Sequence, residues 1–235
     1  MHKQFPDLLI LHHEFQKVEY NHSMRVNSYE IRQCQNCGLR YPLVENHPFG
    51  DRCPNCLGTT KPVLTHHLAS KPASLALQSK TQLEALLDNV RSAWNVGSIF
   101  RTAEGLGINK LYLCGITPTP ENEAVLKTSL GAEEAVAWEY SLNALETAKN
   151  LRANGYQLIA LEQDERAIKL QNVFDSFRSQ GGTSVLLVGN EVTGVDPELL
   201  DLCAQIIHIP MKGTKSSFNV EVAFGITAYQ LIYGG

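Results

Sequence analysis

The hydrophobic pattern divides the chain near residue 80. Before that point apolar positions are scattered and no period holds for long. Beyond it, short apolar runs alternate with stretches of helical period. Strands are predicted at 83–88 (LEALLD), 110–116 (KLYLCGI), 156–161 (YQLIAL), 184–189 (SVLLVG) and 205–209. Helices are predicted at 96–106, 142–153, 197–203 and 219–233. In the first of these, Val96, Ile99, Phe100 and Ala103 share one face, and Gly105 and Gly107 end it. Gly155 stops the second. Asp196 and Pro197 supply the N-cap and first turn of the third. Strands alternating with helices indicate an α/β domain around a mostly parallel sheet. The last helix is apolar almost all round, with Glu221 its single charge, so core or a second subunit must cover it.

The first 80 residues follow another logic. Residues 1–33 are mixed and rich in histidine, and 61–80 carry two Lys-Pro pairs and small polar residues, which read as a linker. Between them lies Cys34-x2-Cys37-x15-Cys53-x2-Cys56. Two CxxC turns at this separation fit a structural zinc ribbon, each turn presenting two thiolates to one tetrahedral ion. Iron in the same site, or a ribbon without metal, is the alternative. A four-thiolate site is closed and therefore structural. The expected division is 1–60 for a ribbon-containing domain, 61–80 for a linker and 81–235 for the α/β domain. Arg32, Arg40, Arg52 and His47 are either solvated surface or contacts to RNA phosphates.

Composition narrows the classes. Of 235 residues, 43% are hydrophobic and 19% charged, an ordinary globular balance. No apolar run approaches the ~20 residues of a membrane span, and LLIL near the N-terminus is too short for a signal-peptide core. A cytoplasmic location follows as the expectation, with disulfides not expected there. Cys114 and Cys203 read as inert core thiols. Net charge is −4. Residues 1–82 hold nine Lys/Arg against six Asp/Glu, and 83–235 hold eleven against eighteen. Contact with nucleic acid would depend on local patches, not bulk charge.

Three segments of the α/β domain carry candidate chemistry. The first is 89–103, NVRSAWNVGSIFRTA, in which Asn95 is positioned to cap the helix and Arg101 lies about a turn and a half into it. The second is GNEVTG (189–194), directly after an apolar strand. The third is IHIPMKGTKSSFNV (207–220), a polar loop between two apolar elements, whose backbone groups need partners in the fold or on a ligand. No GxGxxG fingerprint and no Walker A lysine motif is present.

Together these segments resemble the SpoU/TrmH-type RNA methyltransferases of the SPOUT superfamily. NVGSIFRTA (95–103) matches the family's N-x-G-(A/S)-I-x-R-T-A, GNEVTG its G-x-E-x-x-G, and IPMKGTKSSFNV (209–220) its I-P-M-x-G-x-x-x-S-L-N-V. Phe218 replaces the usual Leu, and Glu221 stands where a small residue is typical. The resemblance covers about 81–235 and leaves the cysteine module outside. It implies a domain whose C-terminal part is threaded as a trefoil knot, S-adenosylmethionine as methyl donor, a homodimer, and methylation of a ribose 2′-hydroxyl in tRNA or rRNA. Alternatives are a catalytically weak knotted RNA-binding protein and a methyltransferase acting on a base.

Roles follow by position. The resemblance implies that Gly189, Ile209 and Phe218, with Met211 close by, hold the donor, and that Arg101 is catalytic. A guanidinium gives up its proton at neutral pH only at a cost of at least about 7 kcal/mol. The expected role of Arg101 is therefore electrostatic: it binds a phosphate and stabilises charge developing on the ribose oxygen. Asn95 and Asn219 are expected to position Arg101 and the loops, or to cap their helices. Ser217 is expected to hydrogen-bond substrate or loop, and Glu191 to pair with a basic group and order the second loop. Arg91, Lys212 and Lys215 are candidate phosphate contacts.

Overall fold

A computed structural model of the chain describes residues 27–44, 51–68, 82–173 and 182–234. Residues 1–26, His47 and most of the expected linker lie outside these. The chain forms two compact units, Met1–Ala76 and Leu77–Gly235.

Unit 1 holds three antiparallel strands, β1 (Ser28–Cys34), β2 (Arg40–Val44) and β3 (Thr60–His67), in the order β2-β1-β3. The third strand corrects the sequence reading, because it occupies the first part of the expected linker at 61–80. Its Lys61-Pro62 pair suggested a linker, but β3 is an edge strand, where proline is tolerated. Pairing also shifts register beside Pro62, between Ile31↔Leu64 and Arg32↔Pro62. The buried Arg32 ties the unit together. Its Nε donates to Thr60 Oγ1 (2.9 Å), and its guanidinium pairs with Glu30 (2.6 Å) and Asp51 (2.8 Å).

Unit 2 contains a seven-stranded, all-parallel sheet in the order β6-β5-β4-β9-β7-β10-β8. The strands are β4 (Gln82–Asp88), β5 (Lys110–Cys114), β6 (Ala137–Ser141), β7 (Gln157–Leu161), β8 (Ile168–Lys169), β9 (Thr183–Val188) and β10 (Gln205–His208). The helices are α1 (Ala93–Leu106), α2 (Glu123–Ser129), α3 (Ala132–Ala135), α4 (Ala144–Ala153), α5 (Pro197–Leu202) and α6 (Val220–Tyr233). One buried cluster joins the sheet to α1 and α6 through Val96, Phe100, Phe224 and Leu231. A second joins its opposite face to α4 and α5 through Ala148, Leu151 and Leu199. The α/β reading therefore holds, with helices on both faces. Among the described residues no helix is long and apolar enough to cross a membrane.

Strand β10 sits between β7 and β8, although residues 162–167 join those two strands directly. The chain leaving β10 runs beside the arch made by that connection. The loops after β4, β7, β9 and β10 all emerge at the carboxyl edge of the sheet, where ligands of open α/β sheets bind.

Helix α1 starts earlier than its apolar period suggests. Ser92, not Asn95, is the N-cap, and its side chain accepts from the Asn95 N–H. Trp94 is exposed, so the periodic face begins only at Val96. Gly105 lies inside the helix, and Gly107 is the left-handed C-cap with φ 70°. At Gly97 a Cβ would overlap Thr128 Oγ1 and the Val125 carbonyl of α2, whereas at Gly105 it would meet open space. Gly97→Ala should destabilise unit 2 by about 2 kcal/mol through overpacking. Gly105→Ala should stabilise it by about 0.5–1 kcal/mol. Urea unfolding of the two variants checks both signs.

Candidate active site and metal centre

The three motif segments meet at the carboxyl edge. The loop after β9 begins with Gly189, where a Cβ would overlap the Gly194–Val195 backbone, so this loop folds tightly on itself. Asn190 N–H donates to Gly194 O (3.0 Å), and Gly194 N–H returns to Asn190 O (2.9 Å). The Asn190 side chain accepts from the Val192 and Thr193 N–H groups and donates to Asn89 O. That turn aims Glu191 back at the loop after β4.

Glu191 accepts there from the N–H groups of Arg91 and Ser92, both at 3.0 Å, and from Asn95 Nδ2 at 3.0 Å. The Arg91 guanidinium lies 3.8 Å away. The expected basic partner is thus present, but backbone donors at the start of α1 do most of the holding. Asn95 Oδ1 in turn accepts from Asn219 Nδ2 (3.1 Å), and Asn219 caps α6 by accepting from the Glu221 N–H (2.9 Å). One hydrogen-bonded chain, Glu191–Asn95–Asn219, joins the three motifs.

Partial burial pulls the Glu191 pKa up, but the N–H groups and Asn95 outweigh it and hold the carboxyl below its ordinary range. A depressed folded-state pKa contributes stability that is present above the unfolded value and lost as pH falls through the folded value. Glu191→Gln should therefore cost about 2 kcal/mol at pH 7. The difference from the parent protein should begin to shrink as pH falls below about 4.3, the unfolded value, and vanish only below the lower folded-state value. Urea unfolding from pH 7 down through that range measures this.

A cavity of about 380 Å³ opens beside this chain of bonds. Gly189, Ile209, Met211 and Phe218, the expected donor-binding residues, all line it, as do Glu191, Ser217 and Asn219. Sequence reading missed three residues that build its walls. Glu162, at the end of β7, accepts from the Val195 N–H (2.9 Å), and its own N–H donates to Ile207 O (3.0 Å). Gln163 Nε2 donates to Ser216 O. Glu162 and Gln163 fasten the loops after β7, β9 and β10 to one another, and Asn190 ties the loop after β9 to the loop after β4. The only sequence signal was their place directly after apolar strands.

Arg101 is not part of this gathering. It is exposed and lines a separate groove with Ser98, Thr102, Lys127, Thr128, Leu130 and Glu221. Six residues along a helix turn it roughly 120° from Asn95 and about 9 Å along the axis. The N-terminus of α6 separates the two places, with Asn219 at the cavity and Glu221 at the groove. Lys212 and Lys215 are exposed on the loop after β10. Cys114 and Cys203 fit their expected inert role, as burial pushes both thiols up to about 12.

In unit 1 the sulfurs of Cys34, Cys37, Cys53 and Cys56 all lie within 4.8 Å of one another. Cys34 Sγ is 3.4 Å from Cys56 Sγ, and Cys37 Sγ is 3.6 Å from Cys53 Sγ. Disulfide sulfurs would be about 2.05 Å apart. A tetrahedral ion with bonds of ~2.3 Å needs sulfur edges of ~3.8 Å, close to the spacing observed. The Leu39 N–H and Asn55 lower Cys37 to about 6. At Cys56 the Gly58 N–H pulls down, but the Cys34 and Cys37 sulfurs outweigh it and push the thiol to about 12. Holding all four sulfurs as thiolates at this spacing would require a cation among them.

Comparison with known proteins agrees with this geometry. Residues 82–229 match the profile of the SpoU rRNA methylase family. A 23S rRNA (guanosine-2′-O-)-methyltransferase from Acinetobacter baylyi is 29% identical over 170 residues, 69% of this chain and 64% of that protein. A tRNA (guanosine(18)-2′-O)-methyltransferase from Aquifex aeolicus is 30% identical over 145 residues, 61% of this chain and 65% of that protein. The chain thus spans just under two thirds of the length of these relatives. The crystal structure of an AdoMet-bound rRNA methyltransferase from Sinorhizobium meliloti superposes with a TM-score of 0.59 at 27% identity, covering 64% of this chain and 55% of that one. With the matched profile spanning the whole cavity and its motif loops, the chain belongs to the SpoU rRNA methylase family.

Proposed function

We propose that unit 2 transfers a methyl group from S-adenosylmethionine to a ribose 2′-hydroxyl of tRNA or rRNA. The observation that carries this reading is the Glu191–Asn95–Asn219 chain of hydrogen bonds beside a cavity walled by three loops. The cavity falls in the size range of small-ligand sites and joins apolar walls to exposed backbone groups, as an adenine ring requires. Ile209, Met211 and Phe218 would grip the donor, with Gly189 exposing backbone. S-adenosylmethionine, when bound, supplies the methyl group on its sulfonium. Glu191, Asn95 and Asn219 hold the loops in register, and Ser217 orients the ribose. Arg91, Lys212 and Lys215 contact phosphates, and Arg101 stabilises the charge that develops on the attacking oxygen. The activities of the two methyltransferase relatives support the reaction class.

The arch of residues 162–167 around the end of β10 supports a threaded C-terminal part, the knot that the resemblance implies. The protein acts as a homodimer in the cytoplasm. On α6, Val222, Ile226, Tyr229 and Tyr233 form an exposed apolar stripe at helical spacing, which supports a second copy as its cover. The cysteine cluster holds zinc. Incubation with methyl-labelled donor and total RNA tests the reaction. Label should enter RNA and render the modified linkage resistant to alkali. Label in an alkali-sensitive linkage would move the reaction to a base, and donor binding without transfer would leave a binding protein.

A further inference from the structure

The sheet of unit 1 has two different faces. Alternation along β1 puts Glu30, Arg32 and Cys34 on the face that turns to the cysteine loops. On the other face the register builds three rows of three. Val44, Tyr29 and His66 form the first row, Pro42, Ile31 and Leu64 the second, and Arg40, Gln33 and Lys61 the third. None of these nine residues is buried, and Leu64 is 53% exposed. The Tyr29 and His66 rings lie 5.3 Å apart, centroid to centroid.

Charge on this face is one-sided. It carries no acidic residue. The two acidic side chains among the described residues of unit 1, Glu30 and Asp51, both pair with Arg32. Arg40 and Lys61 have no ion pair among the described residues. The four cysteine sulfurs gather on the Cys34 side. The face is therefore a half-exposed aromatic and apolar surface ending in a cationic row. With strands ~4.8 Å apart and rows ~6.7 Å apart, it measures about 10 by 13 Å, room for two or three bases.

We infer that this face binds single-stranded RNA, with bases stacking on Tyr29 and His66 and phosphates meeting Arg40 and Lys61. Stacking on aromatic rings needs unpaired bases, whereas a duplex offers only its backbone to a flat surface. The inference rests on RNA being the substrate. It adds that unit 1 selects a loop or single-stranded stretch near the methylated nucleotide.

The test uses the full chain with its metal bound and a fluorescein-labelled ten-nucleotide oligouridine, followed by anisotropy. Tyr29→Ala and His66→Ala should each weaken binding about ten-fold with the salt dependence unchanged. Arg40→Ala combined with Lys61→Ala should lower the logarithmic salt slope by about 1.4. His67→Ala, on the opposite face, should match the parent protein. Metal content measured on every variant confirms that unit 1 is folded. Equal affinity for a ten-base-pair RNA duplex, or unchanged binding in both aromatic variants, overturns the inference. So does self-association of the RNA-free protein that Tyr29→Ala abolishes, which would make a second copy the occupant. Methyl transfer is read in parallel. Oligonucleotide binding through this face without transfer refutes the activity proposed above and leaves the face standing, while transfer with unaltered binding in both variants refutes the face alone.

Discussion

Stripping the metal from unit 1 should unfold its three-stranded sheet while unit 2 keeps its structure. Among the described residues of unit 1, the only buried apolar side chains are Cys34 and Cys53. No leucine, isoleucine, valine or aromatic ring is fully covered there, so hydrophobic burial supplies little. Strands β1 and β3 are joined by their ladder and by Arg32, whose carboxylate partner Asp51 is largely exposed and weak in water. A tetrathiolate zinc site contributes about 10 kcal/mol or more to folding, far above what the sheet can supply alone. Hydrogen exchange with and without a chelator reads the outcome. The amides of 28–34 and 60–67 should lose protection, and those of β4 and β9 should keep it. Cys34→Ser should reproduce the effect without a chelator. Persistent protection of β1 after the metal has been removed in full would mean that the cysteine cluster is not what folds this unit.

The cysteine cluster could be read from spacing because each Cys-x2-Cys pair sits within one turn. The same holds for the active site. Gly189–Gly194 and 209–220 are contiguous loops between a strand and a helix, so their chemistry could be read along the chain. What could not be read is how the loops are fastened together. Glu162 looks like one acid among several in LEQDE, and only the fold brings the Val195 N–H to it from 33 residues away. Asn190 acts through Asn89, 101 residues upstream. Edge elements were also hidden. Strand β6 has no buried residue, and β8 is two residues long, so neither leaves an apolar run. At α1 the exposed Trp94 broke the period, and Ser92 was passed over for Asn95, which serves the Glu191 contact instead.

Arg101→Ala should lower methyl transfer by roughly 10³-fold while leaving donor affinity near normal, in line with loss of a group that stabilises developing oxyanion charge. The two halves of this expectation come from different observations. Arg101 lies within the matched family motif, and yet it does not line the donor cavity of its own subunit. A residue outside the cavity has no means of altering donor binding directly. Its groove instead borders Glu221 at the start of α6, the helix whose exposed stripe of Val222, Ile226, Tyr229 and Tyr233 fits a second copy. In a two-fold dimer formed through that stripe the patch would meet itself and bring Arg101 close to the interface, where action on the partner's cavity becomes a testable arrangement. Mixing Arg101→Ala with Glu191→Ala subunits distinguishes the two arrangements. If Arg101 acts across the interface, one site of each mixed dimer receives an intact arginine and an intact Glu191 loop, and the mixture recovers about a quarter of parent activity. If Arg101 acts within its own subunit, each site of the mixed dimer carries one lesion. No site is then whole, and no activity is recovered. The double mutant Arg101→Ala/Glu191→Ala mixed with parent protein gives the converse reading. Each site of that mixed dimer has one lesion when Arg101 acts in trans, so parent activity falls as mixed dimers form. In the cis arrangement one site stays whole and total activity is unchanged. Full activity with subunit exchange demonstrated would refute the trans arrangement, and retained turnover by Arg101→Ala itself would refute the role.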